Sequence, residues 1–366
     1  MWIWQYKNWP DFNYTFSQLQ PLLRQVIFLQ GELYGSHHSL DTDAQTLDTI
    51  LANILYSSDI EGEKLNAHSV RSSLAIHLGI SQEVSFPVDN RTEGLVASAL
   101  DAINNLDEPL SVSRLLTWHR LLFPSGVSLF NQIEAGCFRN GPVQVVSGRL
   151  DKPVVHFEAP PADRVVDEMK VFIHWFNASL NNNTLDPILR AGIAHLWFLT
   201  IHPFEDGNGR IGRLIMDLAL AQAEKNTVRL YAMSRTLNER RKEYYDLLER
   251  TQRHNGDITE WLAWFISTLQ QSILATLAQI QRTLEKNKYW VRFDQGGLRP
   301  EQAKVINRML DGDFTSSINN RQYMSVAKVS RSSATRHLAE LVAAGFMAET
   351  GDGGRSTRYV LNHHSD

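Results

Sequence analysis

Apolar residues recur at helical spacing along most of the chain. Within residues 43–56, Leu47, Ile50, Leu51, Ile54 and Leu55 stand at i, i+3, i+4, i+7 and i+8, the stripe of an amphipathic helix. That helix runs into Ser57-Ser58-Asp59-Ile60-Glu61-Gly62, where Gly62 supplies a stop. Helical patterns continue through 67–78, 91–105 and 111–122. Residues 143–157 differ: Val143, Val145 and Val146, then Val154, Val155 and Phe157, flank Ser147-Gly148-Arg149-Leu150-Asp151, which predicts a β-hairpin. Pro160-Pro161 opens a helix to about residue 180. Asp186-Pro187, a cap followed by proline at the first helical position, opens another that ends near His202. A further helix begins inside a glycine-rich run and reaches about residue 224. Helices over 236–252 and 257–285 follow, the second opened by Asp257 with Glu260 three residues on.

Residues 288–300, with Gly296-Gly297 and Pro300, predict a linker. Beyond it, short-helix patterns at 301–310, 323–328 and 331–344 precede two β-prone pieces, Phe346–Thr350 and Thr357–Leu361, around Gly351-Asp352-Gly353-Gly354. Helix, helix, helix, hairpin is the order of a winged helix-turn-helix. The expected fold class is mainly α, with one β-hairpin in a helical core. The expected division is an N-terminal helical segment over 1–100, a core domain over 101–285 and a small module over 290–366.

A chain of 366 residues is long for a single hydrophobic core, in keeping with this division. A formal net charge of −4 argues against a surface that binds nucleic acid or anionic membrane throughout. No apolar stretch approaches the roughly eighteen residues that a membrane span needs, and Met1-Trp2-Ile3-Trp4-Gln5-Tyr6-Lys7 lacks the charged-then-apolar pattern of a secretory signal. The single cysteine, Cys137, rules out an intrachain disulfide and fits a reducing compartment. No membrane partner and a cytoplasmic location are the resulting expectations.

The chemistry concentrates in His202-Pro203-Phe204-Glu205-Asp206-Gly207-Asn208-Gly209-Arg210-Ile211-Gly212-Arg213. A histidine just before a tight turn can offer one ring nitrogen to a substrate hydroxyl while backbone fixes the other. Asp206 supplies a hard oxygen ligand suited to Mg²⁺. Gly207-Asn208-Gly209 lets successive N–H groups converge on an anion at a helix N-terminus, whose dipole favours phosphate. Arg210 and Arg213, three residues apart on one helix face, suit two phosphates. Phe204 reads as the packing anchor that turns His202 outward. Taken singly, each feature is more often structural; together, in order and opening a helix, they point to a nucleoside triphosphate site.

The run resembles the signature of the Fic family, His-x-Phe-x-Asp/Glu-Gly-Asn-Gly-Arg-x-x-Arg, at every specified position. The resemblance implies transfer of AMP from ATP to a hydroxyl of a protein side chain, with release of pyrophosphate. It implies that His202 deprotonates the target hydroxyl and that Asp206 binds Mg²⁺ bridging the α- and β-phosphates. Gly207, Asn208 and Gly209 would cradle phosphates, Arg210 would hold the β-phosphate and Arg213 the γ-phosphate, with Ile211 and Gly212 inside the same nucleotide-binding stretch. The hairpin resembles the family flap, which aligns a target polypeptide by strand addition; its nucleotide-facing part would be Val155, His156, Phe157 and Glu158. Tyr244, Tyr245 and, at the family spacing, Gln252 would lie near adenine and ribose.

Ser57-x-x-x-Glu61-Gly62 is similar to the family's inhibitory motif, Ser/Thr-x-x-x-Glu-Gly/Asn. The resemblance implies that Glu61 pairs bidentately with Arg213, takes the charge meant for the γ-phosphate and turns the α-phosphate away from attack. Trp2, Trp4 and Trp9 resemble the N-terminal helical segment of some bacterial Fic proteins. In the C-terminal module, Ser330-Arg331-Ser332-Ser333-Ala334-Thr335-Arg336-His337-Leu338 stands as the recognition helix, and Arg355 and Arg358 as wing contacts to DNA phosphate. Ten Lys/Arg against eight Asp/Glu from residue 290 onward is far from a strongly basic footprint. Besides the leading function, an AMP transferase held down by Glu61, the alternatives are transfer of UMP or phosphocholine or removal of AMP by the same cradle, and a DNA-binding regulator whose core senses nucleotide. A homodimer that secures the inhibitory helix is a further expected partner arrangement.

Overall fold

A computed structural model describes residues 1–37, 42–80, 86–128, 132–149, 152–225, 230–293, 297–314, 317–350 and 357–362. The chain divides into two compact units, Met1–Leu274 and Ala275–Asp366.

The first unit is built around one helix that water does not reach. After the N-terminal helices α1 (Phe16–His37), α2 (Thr42–Ile60), α3 (Ala67–Leu78), α4 (Asn90–Asn104) and α5 (Val112–Leu122) come a hairpin of β1 (Gln144–Arg149) and β2 (Lys152–Glu158) and then α6 (Val165–Ala178). The next helix, α7 (Pro187–Ile201), is buried at every position from Ile188 to Ile201, as expected of a helix apolar on all sides. It packs against α8 (Asn208–Glu224), the helix that the glycine run opens. Asp186 caps α7, accepting from the N–H of Ile188 at 2.8 Å, with Pro187 at the first position as the sequence implies. Gly192 lets α7 approach the next layer closely: a Cβ there would lie 3.0 Å from Leu262 and 3.1 Å from Phe265.

Where one helix was expected over 236–252, there are two, α9 (Met233–Glu239) and α10 (Arg241–Gln252). They meet at Arg240, whose φ of −106° and ψ of 23° interrupt the turn. The Arg240 guanidinium is held there by Glu243 and by the Thr268 hydroxyl, over the ring of Trp264, a tertiary anchor that no local pattern displays. The helix expected over 257–285 is longer, α11 (Thr259–Arg292), and takes in the start of the expected linker. Lys286, Tyr289 and Trp290 on its last turns bond to Asp311, Phe346 and Asn307, so packing extends the helix past the point where the sequence pattern fades. The boundary between the units falls inside α11.

The second unit adds α12 (Pro300–Leu310), α13 (Asn320–Ala327), α14 (Arg331–Ala343) and the antiparallel pair β3 (Met347–Thr350) and β4 (Arg358–Leu361). Val305, Ile306, Ile318, Tyr323, Leu338 and Leu341 fill its core, and Ile318 bridges Tyr359 of β4. Residues Gly351–Gly354 and Arg355, read above as wing, lie outside the described residues. Among the described residues no helix is long and apolar enough to cross a membrane.

Candidate nucleotide site

His202 terminates α7 in the left-handed conformation, φ 52° and ψ 59°, and Pro203 cannot continue the helix. Arg139 secures this reversal. Its Nε donates to the His202 carbonyl at 2.7 Å, and its Nη2 and Nη1 donate to Pro160 at 2.5 Å and Gly141 at 2.9 Å. The helix end and the hairpin exit thus share one buried guanidinium. The His202 Nδ1 faces the Leu199 carbonyl at 3.1 Å. A carbonyl only accepts, so Nδ1 carries the hydrogen and Nε2 keeps a free lone pair. Burial lowers the ring's pKa to about 4, against the carbonyl bond and the Glu61 and Asp206 charges that work to raise it. The ring keeps part of its surface toward the cavity and is neutral near pH 7, the state that a general base requires.

The loop behind His202 is closed on itself. Asn208 accepts from the Phe204 N–H at 2.9 Å and donates to the Phe204 carbonyl at 2.8 Å. The Asn208 side chain is therefore a staple across the turn, and only its backbone is left for a ligand. Gly207 sits at φ 82°, and a Cβ on it would strike the Phe123 ring at 2.8 Å. His119 stacks on Phe204 at 4.2 Å. Its Nδ1 accepts from the Gly136 N–H at 2.8 Å, so its Nε2 donates to the Asp206 carbonyl at 3.2 Å. Asp206 itself stays 40 % exposed, with Oδ1 accepting from the Gly207 N–H at 2.5 Å. It is a single carboxylate: among the described residues no group of three or more His, Cys, Asp or Glu could hold a metal unaided. That suits Mg²⁺, which keeps water and substrate phosphate as most of its ligands.

The arginines have diverged in environment. Arg213 is buried, and Ser57 takes its Nε through Oγ at 2.8 Å and its Nη2 through the carbonyl at 2.9 Å. Glu61 Oε1 accepts from the same Nη2 at 2.7 Å. The contact is through one oxygen, not the bidentate fork expected: Ser57 takes the Nε–Nη2 edge of the guanidinium, and Glu61 meets Nη2 alone. Arg213 Nη1 has no hydrogen-bond partner among the described residues. Burial tends to raise the Glu61 pKa, but the Arg213 charge and hydrogen bond outweigh it and the carboxyl lies below its ordinary value. Arg210 does not line the cavity. Its Nη1 donates to Glu63 at 2.8 Å, and Glu63 also meets Arg91 at 2.6 Å. Gly62, at φ 81°, turns the chain between the two glutamates.

A cavity of about 540 Å³ opens in front of these groups. It brings together Glu61, His156, Phe157, His202, Asp206, Gly207, Asn208, Gly209, Arg213, Tyr244, Tyr245 and Gln252. Val155, Glu158, Ile211, Gly212, Ser57 and Gly62, which the sequence also places at the site, do not line it. The hairpin explains why His156 faces inward. Val145 pairs with Phe157 and Val146 with Val155, leaving His156 as the extra residue of a bulge, which re-aims its side chain. His156 Nδ1 reaches Glu249 at 2.6 Å and its Nε2 reaches the Ser147 hydroxyl at 2.5 Å. Tyr244 is buried with its hydroxyl on His195 Nε2 at 2.9 Å, whereas Tyr245 is 37 % exposed. Sequence reasoning missed Ser147, Glu205, Arg241, Asp246 and Glu249 on the rim, and Arg139, His119 and Glu63 behind it. One signal was available: residues 241, 245, 248, 249 and 252 fall on one face of α10 at i, i+4, i+7, i+8 and i+11.

One contact decides the character of the site. A Cβ on Gly209 would lie 2.0 Å from Glu61 Oε1, so a carboxylate already occupies the space beside the N-terminal turn of α8, where the dipole favours an anion. Residues 109–220 match the model of the Fic/DOC family, and residues 2–80 match a domain of unknown function, DUF4172. The chain carries a Fic domain. It is 25 % identical over 292 residues to a protein adenylyltransferase, fic-1, of Caenorhabditis elegans, covering 79 % of this chain and 52 % of that protein. To the protein adenylyltransferase Fic of Drosophila mojavensis it is 28 % identical over 225 residues, 60 % of this chain and 40 % of the relative. The chain therefore spans about half the length of the curated relatives it matches. The crystal structure of a Fic family protein from Desulfovibrio desulfuricans G20 superposes with a TM-score of 0.54 at 21 % identity, covering 94 % of this chain and 97 % of that one. The Fic fold thus accounts for the helical core and its hairpin.

Proposed function

We propose that the Fic domain transfers AMP from ATP to a hydroxyl on a protein side chain, and that Glu61 holds the site inactive. The observation that carries this reading is the Glu61 carboxylate on Arg213, 2.7 Å away, in front of a neutral histidine with a free Nε2. In the active form Glu61 leaves, and the terminal phosphate of ATP takes Arg213, with its unpartnered Nη1 as a further donor. The N-terminal turn of α8 and the backbone of 207–209 receive the inner phosphates. His202 Nε2 accepts the proton of the target hydroxyl as that oxygen bonds to the α-phosphorus. The bond from that phosphorus to the bridging oxygen breaks, and pyrophosphate leaves. Asp206 would hold a Mg²⁺ that neutralises phosphate charge. Arg210 would serve the β-phosphate through donors other than the Nη1 that Glu63 takes. The β1–β2 edge, with Val146 and Val154 exposed, offers a strand for the target to pair with. In the same reading the second unit is a winged helix, with Arg331 and Arg336 on the exposed side of α14.

Incubation with ATP labelled at the α-phosphate and Mg²⁺ tests the reading on the chain and on added cell lysate. Glu61→Gly should raise labelling by about a hundredfold, the scale of a restored reacting geometry. Adding His202→Ala should remove at least about a hundredfold, the usual contribution of a positioned base. Absence of label in the Glu61→Gly chain would reject AMP transfer, and label that persists without His202 would reject its role.

A further inference from the structure

The hairpin is too small to hold its own position, since two strands alone are marginal in water. Besides the contacts of His156 with Glu249 and of Val155 with Arg253, what packs against it comes from the start of the chain. Trp4, Phe157 and Ala159 form a buried cluster apart from the main core, with Trp2, Trp9 and Val145 packed on it. The Trp4 indole N–H donates to the Glu158 carbonyl at 2.8 Å. Trp2 meets Phe157 edge-on at 5.3 Å. The Arg253 guanidinium lies 4.4 Å over the Trp2 ring and donates to the Val155 carbonyl at 3.0 Å. Trp9 ties this segment to the core through Glu168 at 2.8 Å and the Trp197 ring at 6.1 Å. Phe157 in turn faces the His202 ring at 6.5 Å.

We propose that residues 2–9 are a clamp that fixes the hairpin over the cavity, with Trp2 and Trp4 as positioning residues for the polypeptide that the hairpin presents. The assignment gives a task to the first residues of the 2–80 segment. It rests on the AMP-transfer reading only for what the hairpin presents, not for the clamp itself. Tryptophan fits the role because one ring supplies both a wide apolar contact and a single N–H donor. A chain of contacts from Trp2 through Phe157 to His202 also ties strand position to the base.

Amide exchange over 152–158 tests it in the full chain, comparing Trp4→Phe, Trp2→Ala and Trp2→Phe. Trp4→Phe keeps a ring but loses the donor, and Trp2→Ala loses the aromatic edge; both should speed exchange of β2 by about tenfold, the value of one hydrogen bond or ring contact. Trp2→Phe should restore most of the protection, and the His202 ring resonance should shift in Trp2→Ala alone. Affinity for ATP with Mg²⁺ should stay within about twofold, since no clamp residue lines the nucleotide end of the cavity. Unchanged β2 exchange would overturn the proposal. Faster exchange spread through α7 and α8 with a lower melting temperature would overturn it too, by reducing the tryptophans to general packing. A Glu61→Gly chain that binds no ATP would reject the transfer reading, and the exchange comparison would still decide the clamp.

Discussion

His202 owes its tautomer to one carbonyl and its neutrality to burial, and both can be read by titration. Burial penalises the charged imidazolium, so the ring should protonate near pH 4 and not near its ordinary value. Side-chain nuclear magnetic resonance should show an unprotonated Nε2 from pH 8 down to about 5. A midpoint close to 6.5 would contradict the environment described. Glu61 is among the charges that raise this pKa, so Glu61→Gly should lower the midpoint further. Glu63 makes a different kind of demand. It is 6 % exposed and stands between Arg210 and Arg91. Removing it leaves the two guanidinium groups without the carboxylate that stands between them. Glu63→Ala should cost on the order of 3 kcal/mol in urea unfolding, and a loss below about 1 kcal/mol would mean that water reaches the pair. At this scale the sequence exposed the run 202–213 and Glu61, because their chemistry is local. It concealed Arg139, His119 and Glu63, whose bonds to Pro160, Asp206 and Arg210 span 21, 87 and 147 positions. It also gave no sign that Glu63 would meet Arg210.

Helices α4 and α5 meet at a glycine, and this contact shows what patterning omits. A Cβ on Gly94 would stand 2.0 Å from the Leu121 carbonyl oxygen, a backbone atom that cannot swing aside. Gly94→Ala should therefore push α5 off α4 and destabilise the chain by about 2 kcal/mol, as overpacking does, even though alanine favours helix. Thermal unfolding checks it, and a raised melting temperature would show that the helices can separate freely. The elements with clean periodicity or explicit caps were legible: Asn66 caps α3, Asp186 caps α7, and Ala67–Leu78 coincides with the expected 67–78. The helix α1 carries Pro21 inside it, a residue that breaks helical patterns, and its region reads only as part of an N-terminal helical segment. The split at Arg240 and the extension of α11 to Arg292 arise from tertiary contacts, which periodicity does not encode.

The molecule joins two compact units, and the reading given to each sets a testable separation. The α14 helix begins with Ser330 accepting from the Ser333 N–H at 3.2 Å, which leaves Arg331 exposed in its first turn; Arg336 is 62 % exposed and 3.8 Å from Glu340. A helix presented this way can meet DNA phosphates, but few cations are available, so the dependence on salt should be shallow. Each phosphate neutralised contributes a slope of about −0.9 in log affinity against log salt. With Arg331 and Arg336 as the main contacts, the slope should be near −2, and Arg331→Ala with Arg336→Ala should abolish a mobility shift on duplex DNA. The same double variant should leave α-phosphate labelling by the Glu61→Gly chain unchanged, because neither arginine belongs to the unit that holds His202. A shift that survives both substitutions would remove α14 as the DNA contact. Labelling that falls with them would mean that the second unit governs the first.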